Sequence, residues 1–251
     1  MAAPDQYVDW QVLTTGGYEF DDLAVFEELS RQMTARRPLA LDIGANVGHH
    51  MFVFATLGWR VMAFEPNPSL WPSIKEKIRT ASLEDVSLHG IGLGDQDLSL
   101  RFRVPISENS GTGQFVTSSN VRRDHTDQDL PVRRGDDYLV EQKVENVDVI
   151  KIDIQGFEAT ALRGLRSTLE SNRPVLCIEI GDENREEIPS LDALAALLPQ
   201  GYGFRMMRQD PHLLFRLSKL VKVRPTEFGD IDGNIFCVPE ERIAALDRAF
   251  Q

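Results

Sequence analysis

The sequence predicts an α/β fold in which a mostly parallel sheet carries helices on both faces. Three observations support it. Short apolar runs alternate with segments of helical period from residue 39 to residue 207, the pattern of repeated strand–helix units. The runs at 39–43 and 60–65 carry the carboxylates Asp42 and Glu65 close to the glycine or proline that begins a turn. Residues 147–154 read as a strongly apolar strand, as parallel strands buried on both faces do, broken by Lys151 and ended by Asp153.

Composition sets the limits. With 251 residues, 42% hydrophobic and 26% charged, the chain suits one globular domain that buries roughly 70 to 75% of its unfolded surface. A formal net charge of −12 argues against nucleic acid as a partner, because such proteins present a basic face. Cys177 and Cys237 lie in apolar runs and read as small buried side chains, not as a disulfide. Residues 1–10 show neither a basic region nor an apolar one, and nowhere do about 18 apolar residues run together. The expectation is a soluble, cytoplasmic protein without membrane contact.

Taken in order, residues 21–36 place Leu23, Phe26, Leu29 and Met33 at spacings of three and four, which makes an amphipathic helix for the core. Residues 1–37 thus read as a helical extension, with a candidate lid before the helix, ahead of a domain at 38–251. The run 39–43 enters the turn Gly44-Ala45-Asn46-Val47-Gly48, and 49–57 leaves it as a helix. Glycines there permit positive φ and close approach of backbone to a ligand, while the new helix offers unpaired N–H groups. A dinucleotide fingerprint wants a different glycine spacing, and a phosphate loop wants a Gly-Lys-Ser/Thr that does not follow. Asp42 suits a cation instead. S-adenosylmethionine has an amino group, a sulfonium and a ribose but no phosphate, so Asp42 holds its amino-acid part and Glu65, 23 residues on, takes the ribose hydroxyls.

Pro66 and Pro68 end the second strand, and 69–80 reads as a helix. Residues 86–93 form the next strand, Gly94-Asp95 closes it, and 98–104 alternates as another. Residues 105–130, which include His125, are polar and aperiodic, a long loop of the kind that contacts substrate. Asp136 and Asp137 open a short helix. Asp153 then arrives at the carboxyl edge, where open parallel sheets bind ligands, and is the first choice for the reaction centre. A helix over 156–169 contains Glu158, for which a structural role is favoured, and strand 174–180 brings Glu179 to the same edge. Helix 191–198 and strands 202–207 and 234–238 follow. Arg205, Arg208, Arg216, Lys219, Lys222 and Arg224 form a basic stretch, read chiefly as solvated surface.

The segments Asp42-Ile-Gly-Ala-Asn-Val-Gly48, Ala63-Phe-Glu-Pro-Asn67, Gly92-Leu-Gly-Asp95 and Ile150-Lys-Ile-Asp-Ile-Gln-Gly-Phe-Glu158 occur in this order. Together they resemble the successive motifs of FkbM-type S-adenosylmethionine-dependent methyltransferases. The resemblance spans residues 38–181, with Gln155 where the family usually has Glu and Gly92 where Ala is commoner. It implies a Rossmann-like class I methyltransferase fold, a seven-stranded sheet whose last hairpin makes one strand antiparallel. It further implies that Asp42, Gly44, Ala45, Asn46, Gly48, Glu65, Pro66, Asn67, Gly94, Asp95 and Asp153 bind S-adenosylmethionine, with Asp95 near the adenine. It also makes Asn109 an acceptor contact, and Glu179, at the same sheet edge, is the second candidate.

The implied reaction is methyl transfer to a hydroxyl oxygen of a sugar, glycan or secondary-metabolite acceptor. Asp153 accepts the proton or orients a histidine that does, with His49, His50 and His125 as candidates. Mg2+ held by Asp153, Glu179 and Asp182 is a less favoured variant. The rivals are an N-methyltransferase of the same fold, a non-catalytic binding protein that keeps the fold, and a dinucleotide oxidoreductase, which the glycine spacing disfavours.

Overall fold

The apolar runs become the strands of a central sheet. A computed structural model describes residues 20–34, 36–105, 113–115, 125–209 and 218–251. Its first half comprises α1 (Phe20–Gln32), β1 (Leu39–Ile43), α2 (His49–Thr56), β2 (Arg60–Phe64), α3 (Trp71–Thr80), β3 (Val86–His89), β4 (Gly92–Gly94), β5 (Leu98–Pro105) and β6 (Gln114–Phe115). There follow β7 (His125–Arg134), α4 (Gly135–Glu141), β8 (Val149–Ile152), α5 (Glu158–Gly164), α6 (Arg166–Asn172), β9 (Val175–Ile180) and α7 (Leu191–Ala196). The last elements are β10 (Tyr202–Gln209), β11 (Ser218–Lys222), β12 (Gly233–Pro239) and α8 (Glu240–Ala249).

The main sheet has the order β11-β10-β12-β9-β8-β1-β2-β3. Strands β3, β2, β1, β8 and β9 are mutually parallel, and β12 enters antiparallel between β9 and β10. Eight strands replace the expected seven, because Ser218–Lys222 within the basic stretch pairs antiparallel with β10. Leu220 packs on the core from this strand, so the apolar residues between the lysines pull it into the sheet.

Three other expectations need correction. Residues 86–93 are not one strand: Gly90 lies so close to the Trp71 ring that an added Cβ would sit 2.3 Å from it. The chain turns there, leaving β3 in the main sheet and sending β4 to a second sheet of order β4-β7-β5-β6. Part of the expected 105–130 loop is strand β7, paired antiparallel with β5 so that Arg101 faces Asp129 and Arg103 faces Asp127. Buried Arg103 donates to Asp127 at 2.9 and 3.2 Å, so this oppositely charged pair is satisfied across the ladder. The expected helix over 156–169 is two helices. The Asp136 carboxylate accepts the N–H groups of Ser167 and Thr168 at 2.8 and 3.0 Å, capping a new start.

Two apolar layers sandwich the main sheet. On one face Leu41, Ile43, Ile150, Ile152, Leu176 and Ile178 meet Leu162, Leu165, Leu169 and Leu194. On the other, Ala40, Val61, Ala63, Val149, Cys177 and Phe236 meet Val25, Phe26 and Leu29 of α1, Met51 and Phe54 of α2 and Leu246 of α8. The amphipathic helix before β1 is therefore a core helix. Both cysteines are buried and neither is in a disulfide. Among the described residues no helix is long and apolar enough to cross a membrane.

Candidate active site

The parallel strands deliver their carboxyl ends to one edge, where a hydrogen-bonded turn forms the floor of the site. The N–H groups of Gly44 and Ala45 both bond the Phe64 carbonyl at 3.0 Å, lacing the turn after β1 to β2. Gly44 has φ +85°, and an added Cβ would lie 1.9 Å from the Asp153 carbonyl oxygen, so only glycine lets the β1 and β8 loops touch. Asp42 is buried and accepts the Met51 N–H of α2 at 2.8 Å. Burial raises its carboxyl above the usual range, against the pull of His50, Lys151 and the Met51 bond.

Glu65, 5% exposed, follows β2 and grips the chain on both sides. It accepts the Asn46 N–H at 2.9 Å and the Asn67 N–H at 2.8 Å, while the Trp71 indole donates to its backbone carbonyl at 2.8 Å. Burial pushes its carboxyl up to about 7 against the two backbone bonds. Pro66 and Asn67 are buried beside it, and Asn67 Oδ1 accepts from the Ser69 N–H at 3.1 Å.

Asp153 sits at the mouth beyond β8, its side chain 27% exposed. Beneath it Lys151, 1% exposed, places Nζ 3.5 Å from Asp153 Oδ2 and 3.1 Å from Asn234 Oδ1. The Gln155 amide donates to Glu179 Oε2 at 2.9 Å and to Asp153 Oδ1 at 3.4 Å. Burial, and then the adjacent Asp153, push the Glu179 carboxyl up so that it keeps a proton. Burial also opposes charge on Asp153, but Lys151 and the bond from Glu179 hold its carboxyl low. The two acids hold one proton between them, and Asp153 is the ionised partner. Fully buried Glu158 accepts the N–H groups of Ile154 and Gly156, both at 3.0 Å. It closes the loop in which Gln155 has φ 53° and Gly156 φ 99°, a structural role.

The remaining expected residues fall as follows. Half-buried Asp95 follows β4 and lies 3.5 Å from Arg163 Nε. Gly94 is covered by Gly164, where an added Cβ would come 1.8 Å from the Gly94 carbonyl oxygen. His49 opens α2 with its ring centroid 5.3 Å from that of His50. Of the two it is buried His50 that stands near Asp42 and Asp153 and favours their charged forms. Asp182 is exposed, and among the described residues no group of three or more His, Cys, Asp or Glu could hold a metal ion. Asn109, Arg216, the His125 side chain and the candidate lid before residue 20 lie outside the described residues. Sequence reasoning missed the parts played by Lys151, Asn234 and Gln155; the lysine inside an apolar strand was the available signal. The second sheet reaches the site through Phe102, Phe115 and Phe157, whose successive ring centroids are 5.0 and 5.3 Å apart.

Comparison with known proteins bears on the family and the fold. The family described as "Methyltransferase FkbM domain" matches residues 42–206. The chain is similar to the hexuronic acid methyltransferase AglP of Haloferax volcanii, 28% identical over 131 residues that cover 52% of this chain and 51% of that protein. It is also similar to the 2-O-methyltransferase NoeI of Sinorhizobium fredii, 26% identical over 217 residues that cover 79% of this chain and 87% of that protein. Among solved structures, a methyltransferase FkbM from Methylobacillus flagellatus shares the fold with a TM-score of 0.52 at 19% identity, over 82% of this chain and 45% of that one. The chain thus spans about half the length of AglP and of the Methylobacillus flagellatus chain.

Proposed function

This chain belongs to the methyltransferase FkbM domain family, and on that premise we propose that it transfers the methyl group of S-adenosylmethionine to a hydroxyl oxygen of a sugar-like acceptor. The observation that carries the reading is the pair of buried carboxylates, Asp42 on β1 and Glu65 just beyond the adjacent parallel β2, which flank the Gly44 to Gly48 turn. A phosphate would meet two carboxylates there, whereas an ammonium and a ribose diol meet acceptors. This pair of acceptors therefore fits S-adenosylmethionine, with Glu65 toward the ribose and Asp42 toward the amino-acid part. Asp95 is assigned to the adenine side.

When bound, S-adenosylmethionine supplies a methyl group already activated by its sulfonium. The work left to the protein is to align a hydroxyl and receive its proton, and alignment supplies about 7 to 11 kcal/mol in favourable cases. Asp153 is the receiver, being ionised, partly open to the mouth and steadied by Lys151 and Gln155. Protonated Glu179 beside it gives its one O–H to Asp153 and so keeps that carboxylate ionised. A hexuronic acid, named in one relative, and the 2-O position, named in another, support a sugar hydroxyl as the acceptor.

Calorimetric titration with S-adenosylhomocysteine tests the reading, with an Asp42→Ala variant and NAD as controls. The native chain binds, Asp42→Ala loses about tenfold or more in affinity, and labelled methyl passes from S-adenosylmethionine to hexuronic acids or neutral sugars. A chain that ignored S-adenosylhomocysteine or preferred NAD would refute it.

A further inference from the structure

A line of polar groups interrupts the sheet face covered by α1, and it is continuous from the reaction centre to the N-terminal helix. Lys151 lies opposite Asp42 in the β1–β8 ladder, and Asn234 lies opposite Glu179 in the β9–β12 ladder. Asn234 accepts from Lys151 Nζ at 3.1 Å through Oδ1 and donates to Asp22 Oδ2 at 2.8 Å through Nδ2. Asp22 belongs to the first turn of α1. The orientation of the amide follows from chemistry. A carboxylate only accepts and an ammonium only donates, so Asp22 must face Nδ2 and Lys151 must face Oδ1. Neither Asp22 nor Asn234 lies in the family-matched segment 42–206.

We propose that Lys151 is a positioning residue whose ammonium pins the Asp153 carboxylate for proton transfer, and that Asp22, acting through Asn234, aims that ammonium. The proposal rests on the methyl-transfer reading and deepens it, since it makes α1 and β12 parts of the site. A lysine side chain costs more to bury than an apolar one unless its charge is answered. Here the answering groups come from the packed elements: Asp42 on β1, Asp153 beyond β8, Asn234 on β12 and Asp22 on α1, with protonated Glu179 of β9 a neutral neighbour and His50 of α2 the nearby group of potential like charge. Lys151 is 1% exposed and its pairing with Asp153 is 3.5 Å long, so water screens the pair little. The fixed amide stops the ammonium from swinging away from the mouth.

The test is a side-chain carboxyl titration by 13C NMR on the full chain, with the Asp153 signal assigned from Asp153→Asn. In Lys151→Met, the Asp153 midpoint rises by about one to three pH units relative to the native chain, the effect of removing one close opposite charge. Lys151→Gln, which keeps hydrogen-bonding capacity, shows the same rise and serves if the Met variant does not fold. Asn234→Leu shows a smaller rise. An unmoved midpoint in a folded Lys151 variant would overturn the proposal, and an unmoved midpoint in Asn234→Leu would overturn the part given to Asp22. The titration uses neither cofactor nor acceptor, so its failure is distinct from a native chain that does not bind S-adenosylhomocysteine. That second result would overturn the methyl-transfer reading and with it the purpose assigned to Lys151.

Discussion

At the scale of single residues, Asp153 has to be charged in a place that disfavours charge. Lys151 below and Gln155 beside it do that locally, and Glu179 retains the proton that two adjacent carboxylates cannot both lose. Replacing Asp153 by Asn keeps the shape and removes the proton acceptor. We expect turnover to fall by about 10² to 10⁴ while S-adenosylhomocysteine affinity falls far less, a contrast read by steady-state kinetics beside calorimetry. Equal losses in both would move Asp153 from proton transfer to cofactor binding.

At the scale of elements, the fit between α5 and β4 decides where Asp95 and Phe157 stand. Gly164 lets the Gly94 carbonyl enter the space a side chain would fill. Gly164→Ala must push helix and strand apart, and we expect it to destabilise the chain by about 1 to 3 kcal/mol, measured by urea unfolding. An unchanged midpoint would mean that the helix shifts at no cost. The parallel strands were legible in the sequence because β1, β2, β8 and β9 are apolar runs, and their order alone brings Asp42, Glu65, Asp153 and Glu179 to one edge. Strand β7 was not legible, since Asp127 and Asp129 read as loop residues until Arg101 and Arg103 of β5 stand opposite them. Nor was the break after Gly164, because the cap that restarts the helix is Asp136, 31 residues before Ser167. The link from Asn234 to Asp22 crosses 212 residues, a separation at which local pattern carries no information.

At the scale of the whole molecule, a chain in which 39 acidic residues outnumber 27 basic ones depends on how its cations are placed. Arg205 belongs to a stretch whose basic sequence predicts solvated surface, yet it is buried and donates to both oxygens of Asp247 on α8 at 2.8 and 2.7 Å. That fork holds the Asp247 carboxyl below its usual range. A depressed folded-state value gives stability that is present above the unfolded value, about 4, and is lost as pH falls through the lower folded value. Asp247→Asn should therefore cost about 1 to 3 kcal/mol near neutral pH, and the gap to the native chain should close in acid unfolding series below about pH 4. A gap that persisted unchanged in acid would show that packing, not charge, fastens α8. The position of β12 has a consequence of another kind. It follows β10 and β11 in the chain, yet it lies between β9 and β10. As the chain leaves the ribosome the sheet cannot zip shut in the order it is made. Until residue 239 has emerged, β9 keeps an open apolar flank, and that is the interval in which a chaperone, or another nascent chain, would find something to hold.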